Sequence, residues 1–112
     1  MKLFCAAIVI AALAAPSSAY AGWGAIAYNP VTGKSTEVHG QTKLSKALNG
    51  ALDSCGSKCL LVTWEQDVCI ALATNGHSHW GDGFNLPTRA AAIAAAIADC
   101  GAGCTWRVWA CS

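Results

Sequence analysis

The chain carries little charge and nowhere concentrates it. Only 12% of its 112 residues are charged, seven basic against six acidic, and no run of Lys or Arg occurs. Without a basic patch there is no electrostatic footprint for a phosphate backbone, which argues against nucleic-acid binding. Long apolar segments are missing too. The longest, Leu3–Ala15, falls short of the roughly 20 residues that a bilayer span requires. There is no Gly-x-Ser-x-Gly turn to present a nucleophile and no paired Cys-x2-Cys of the zinc or redox type. Ser78, His79 and Asp82 hold the residue types of a nucleophilic triad, but triads are defined by geometry and not by proximity along the chain. Carboxylates are scattered. Glu65 and Asp67, two apart, are the nearest approach to the pair that glycoside chemistry needs, and a solvated connection between strands accounts for them equally.

What is present begins with a leader. Met1-Lys2 is followed by the apolar run, then Pro16-Ser17-Ser18 and the small residues of Ala19-Tyr20-Ala21. This is the pattern of a secretory signal peptide over residues 1–21, cleaved after Ala21, and it implies a secreted or periplasmic protein. The mature chain, residues 22–112, then reads as a single exported domain with six basic and six acidic residues, and no membrane span. Six of the seven cysteines lie in it: Cys55, Cys59, Cys69, Cys100, Cys104 and Cys111. An even count in a small exported domain predicts three disulfides, which supplement a core of marginal size.

Shifting the chain against itself by 45 positions superimposes Cys55 on Cys100, Gly56 on Gly101, Cys59 on Cys104 and Trp64 on Trp109. The domain therefore reads as two related units, residues 22–67 and 68–112. Each predicts strand–strand–helix–strand. In the first, Gly24–Tyr28 and Ser35–His39 flank a Pro- and Gly-containing turn. Thr42 is placed to cap a helix whose stripe is Leu44, Ala47, Leu48, Ala51 and Leu52. Gly56 ends it, and Leu60–Trp64 follows. In the second, Cys69–Ala73 and His77–Gly81 flank Asn75-Gly76, a hairpin signal. Residues 82–87 read as a loop, Thr88 caps an Ala-rich helix with Ile93 and Ile97 as its large buried candidates, and Thr105–Ala110 closes the unit. The fold class is α+β: two such repeats forming an antiparallel or mixed sheet, two helices on one face, disulfide-stapled.

The repeat also bears on the disulfides. Cys55 and Cys59 have counterparts in the second unit, whereas Cys69 and Cys111 fall opposite Gly24 and Gln66. If a staple is duplicated as a unit, the pairs are Cys55–Cys59, Cys100–Cys104 and Cys69–Cys111. The last closes the longest loop and contributes on the order of 4 kcal/mol by the chain-entropy argument.

Two features could hold a ligand. His77 and His79 stand two apart, so on a strand their imidazoles share a face and could bind copper, nickel or zinc with Asp82 or His39 as a further ligand; a polar face beside a turn gives the same pattern. Five tryptophans are many for such a domain. Trp64 and Trp109 are related by the repeat and read as core. Trp23, Trp80 and Trp106 are the candidates for an exposed binding surface.

Trp23-Gly24-Ala25-Ile26-Ala27-Tyr28, Cys69-Ile70-Ala71-Leu72-Ala73, Thr88-Arg89-Ala90-Ala91-Ala92 and the closing Trp109-Ala110-Cys111-Ser112 resemble, in order and spacing, the bacterial domain-of-unknown-function family 4189. The resemblance covers essentially the whole mature chain. It implies a small exported bacterial protein and no established reaction, cofactor or catalytic residue. The second helix departs from the family in being nearly all Ala where Glu and Arg are common, leaving a smooth outer face open to helix-mediated association. The expectation is a secreted or periplasmic module that binds a protein partner, as an inhibitor or host-directed factor, with no cofactor. A metal or small-ligand binder using His77 and His79, and an uncharacterised enzyme, are the alternatives.

Overall fold

The computed structural model describes residues 21–76 and 78–112; the leader up to Tyr20, and His77, lie outside the described residues. In chain order the elements are β1 (Trp23–Tyr28), β2 (Ser35–Gln41), α1 (Leu44–Cys55), β3 (Leu60–Gln66), β4 (Cys69–Thr74), β5 (Trp80–Leu86), α2 (Arg89–Cys100) and β6 (Thr105–Cys111). The fold is α+β, each half following the same strand–strand–helix–strand order, and three disulfides staple it. No helix among the described residues is long and apolar enough to cross a membrane.

The six strands form two antiparallel sheets of three, ordered β2-β1-β3 and β5-β4-β6. The central strands show why. Along β1, Ala25 and Ala27 pack on Ala47, Ala51 and Cys55 of α1. The alternate residues, Ile26 and Tyr28, face the other way and meet Ile70 and Leu72 of β4 with Ala110 of β6. On β4, Cys69, Ala71 and Ala73 in turn pack on Ala92, Ala96 and Cys100 of α2. The layers therefore run α1, first sheet, second sheet, α2. The expected single sheet with both helices on one face becomes two stacked sheets with one helix on each outer face. A single sheet covered on one side would leave Ile26, Tyr28, Ile70 and Leu72 in water, and burying each is worth about 1.5–3 kcal/mol. The sheets are also tied by a buried polar bridge: the Tyr28 hydroxyl lies 2.7 Å from that of Thr74. Thr74 spends its own proton on the His79 carbonyl, 2.9 Å away, so Tyr28 donates to it.

Several boundaries differ from expectation. β5 runs Trp80–Leu86 through residues expected to form a loop, because pairing with β4 overrides the poor strand propensity of its Gly, Asp and Asn. Gly81 and Gly83 are there for the helix. A methyl group at Gly81 would fall on the Cys100 backbone nitrogen, and one at Gly83 on the Ala92 carbonyl oxygen. Backbone meets backbone, so Ala92, Ala96 and Cys100 are the buried residues of α2 while Ile97 is turned outward, 37% exposed. Thr88 caps α2, accepting from the Ala91 N–H at 3.1 Å. At α1 the cap position is Lys43 rather than Thr42, with no side-chain cap. Gly56 and Gly101 end the helices, each donating its N–H to the carbonyl four residues back.

The staples join Cys55 to Cys59, Cys100 to Cys104 and Cys69 to Cys111. The first two clip each helix end to the strand that follows. The third links directly opposed residues of β4 and β6. Its counterpart in the first sheet is the opposed pair Trp23 and Gln66. The central strands thus correspond at a shift of 46, not the 45 that relates the remaining elements, because the connection after β1 is one residue longer than that after β4.

Candidate functional site: two seams between the sheets

Stacking two three-stranded sheets leaves four edge strands, which come together in pairs: β2 beside β6 and β3 beside β5. A groove runs along each seam. The first, about 510 Å³, is lined by Glu37 and His39 of β2 and by Trp106, Arg107 and Trp109 of β6. The second, about 290 Å³, is lined by Val62, Trp64 and Glu65 of β3 and by Asp82 and Phe84 of β5. Positions 45 apart occupy equivalent places: Glu37 and Asp82, His39 and Phe84, Arg107 and Val62, Trp109 and Trp64.

The first groove is built around two indoles and the Arg107 guanidinium, with a second guanidinium, that of Arg89, stacked on the indoles. Trp106 is 44% exposed. Trp109 is half-buried against the core under α2. The Arg89 guanidinium, at the start of α2, lies 4.5 Å from the Trp109 ring centroid and 5.8 Å from that of Trp106, a cation–π arrangement that fixes all three. On the facing strand the Glu37 carboxylate lies 3.1 Å from the His39 ring. The groove therefore offers flat apolar surface, a cationic rim and an acid already partnered. Trp and Arg are, with Tyr, the residue types enriched at binding hot spots.

The second groove has no such internal partner. Trp64, expected in the core, is 43% exposed there, beside Phe84 at 53%. Asp82 titrates above the usual carboxylate range, first because it is partly buried and then because the Asp99 carboxylate repels it. The Asp99 side chain is held there by the Asp82 backbone N–H, which donates to it at 3.1 Å.

The remaining candidates are placed as follows. Trp23 is half-buried against the cluster beneath α1, and Trp80 lies between the sheets with its ring 5.5 Å from that of Tyr28. Of the three tryptophans read as a surface, Trp106 alone lines a groove. His77 lies outside the described residues. His79 is exposed in the turn after β4, His39 is on β2 in the first groove, and Asp82 is in the second, so the further ligands proposed for the histidine pair stand on opposite seams. Among the described residues no three His, Cys, Asp or Glu come together as a metal site. Asp67 accepts from the Gly22 N–H at 2.8 Å and serves the chain's entry into β1, while Glu65 turns into the second groove. The sequence reading missed Arg89, Arg107, Glu37 and Phe84. Arg107 between Trp106 and Trp109 was the one visible signal, a cationic side chain flanked by two aromatic ones on one strand. A further depression, apolar and about 660 Å³, lies along the outer face of α2 at Arg89, Ile93 and Ile97.

The family described as a domain of unknown function, DUF4189, matches residues 23–111. Neither a curated protein nor a solved structure matches the chain significantly.

Proposed function

The chain belongs to the DUF4189 family, and from that premise we propose that it is an exported, disulfide-stapled module that binds a protein partner through the groove of Trp106. The observation that carries this reading is Trp106 itself: a large indole, nearly half exposed, on a rigid strand, braced by Arg89 and Trp109 beside a groove of about 510 Å³. The exposed part of such a side chain costs solvation free energy, and covering it with a partner recovers that loss. The groove is open and bounded by two strand edges, which suits an extended polypeptide segment. The leader pattern, together with three disulfides in a domain of this size, supports an oxidising compartment outside the cytoplasm.

The test is capture from the producer's envelope and culture medium on the immobilised oxidised domain, read by mass spectrometry against an identical Trp106→Ala surface. The reading expects a saturable protein enriched on the first and absent from the second. The same proteins on both surfaces would defeat it.

A further inference from the structure

The equivalence of the two seams makes one difference between them informative. In the first groove the acid of β2, Glu37, has a basic partner two residues along the strand, His39. In the second groove the equivalent acid is Asp82, and the position equivalent to His39 holds Phe84. The position equivalent to Arg107 holds Val62. Neither basic residue of the first groove, His39 or Arg107, has a basic equivalent in the second, which keeps the acid at Asp82 and adds another, Glu65, where the other half has Ala110. Among the described residues neither carboxylate has an ion-pair partner, and aromatic surface has been set out on either side, Trp64 from β3 and Phe84 from β5.

We propose that the groove between β3 and β5 is a binding site for an arginine side chain of a polypeptide partner, with Glu65 and Asp82 as its anionic contacts and Trp64 and Phe84 as its flat walls. Arginine is favoured over lysine because a planar guanidinium stacks on aromatic faces and pairs with carboxylates through a fixed fork of donors. A polypeptide is favoured over a free small cation because the groove is a shallow channel of about 290 Å³ at a strand edge, which cannot enclose its ligand. The raised titration of Asp82 agrees with this assignment: its carboxylate sits, partly buried, in the field of Asp99, and a guanidinium would relieve that repulsion. This site is chemically opposite to the groove of Trp106 and does not depend on it.

The experiment is chemical-shift titration of the 15N-labelled oxidised protein with the capped tripeptide acetyl-Gly-Arg-Gly-amide, beside its neutral citrulline analogue. The proposal expects saturable shifts confined to residues 62–65 and 82–84, with the citrulline peptide at least about fivefold weaker, the size of a cation–π contact. Trp64→Ala and the isosteric Asp82→Asn should each weaken the arginine peptide by a similar factor, and the unperturbed remainder of the spectrum reports that each variant is folded. Equal binding of the two peptides, shifts mapping to β2 and β6, or no saturable shift on β3 and β5 would overturn it.

Discussion

The two halves solve the same packing problem in different ways. In the first, β2 presents Thr36 and Val38 toward α1. Thr36 donates its hydroxyl proton to the Ala51 carbonyl at 2.8 Å, and room for Val38 is made on the helix, where a methyl added to Gly50 would lie 3.3 Å from it. In the second, the equivalent strand positions are Gly81 and Gly83, and α2 descends until its backbone touches the strand. The third disulfide marks the same division, standing where the first half has Trp23 opposite Gln66. The first half fills its space with side chains. The second removes them, and a covalent bridge joins its central strand β4 to β6.

That contrast predicts an order of sensitivity. Replacing Cys69 and Cys111 together by Ala should cost the most, about 4 kcal/mol, because the bridge closes a separation of 42 residues whereas the other two each close 4. Urea denaturation under oxidising conditions measures it; a loss equal to that from removing Cys55–Cys59 would erase the distinction. Next come substitutions at equivalent strand positions. Gly83→Ala adds one methyl where the Ala92 carbonyl stands and should cost on the order of 3 kcal/mol, while Val38→Ala removes two methyls from a looser contact and should cost about 1 kcal/mol. Similar melting-temperature shifts in the two variants would show that the helices sit at the same height.

The smallest effect is electrostatic. The folded-state pKa of Asp82 is raised, so the folded protein binds that proton more tightly than the unfolded chain does. The favourable contribution is complete below the unfolded value and is lost as pH rises through the folded one, so at neutral pH ionised Asp82 opposes folding. Asp82→Asn should therefore be slightly stabilising at pH 7, with the advantage shrinking as pH falls toward 3.8. Paired melting curves across that range read the effect, and an advantage that grows on acidification would reverse the sign. A substitution that stabilises the domain while weakening the arginine peptide would place Asp82 among residues kept for binding.

Much of this was legible in the sequence, and particular residues show where legibility ended. The apolar runs 25–28 and 69–73 lack polar alternation, as strands buried on both faces do, yet a run that needs two covers does not say what each cover is. That is why one sheet was expected where two are stacked. The 45-residue shift exposed the halves and the helix-end staples because cysteines and glycines mark it, but the extra residue in the first hairpin was invisible without strand register. Gly81, Asp82, Gly83 and Asn85 looked like a loop because local propensity speaks against a strand, and only the close approach of α2 explains the glycines. Trp64 and Trp109 stand 45 residues apart at matching places on β3 and β6 but not in the same environment. Arg89, brought from the far end of the loop after β5, covers Trp109, and nothing equivalent was visible for Trp64. Seams between edge strands are tertiary objects, so the grooves themselves could not be read in advance.

The central claim is that recognition lies in the groove of Trp106 and not on the smooth outer face of α2. The most direct test is the affinity of a captured partner for the wild-type domain, for Trp106→Ala and for Ile97→Ala. The account predicts a loss of about thirtyfold for Trp106→Ala, the size of a hot-spot residue, with Ile97→Ala close to wild type. Loss at Ile97 with Trp106 indifferent would move the recognition surface to the helix and contradict the account.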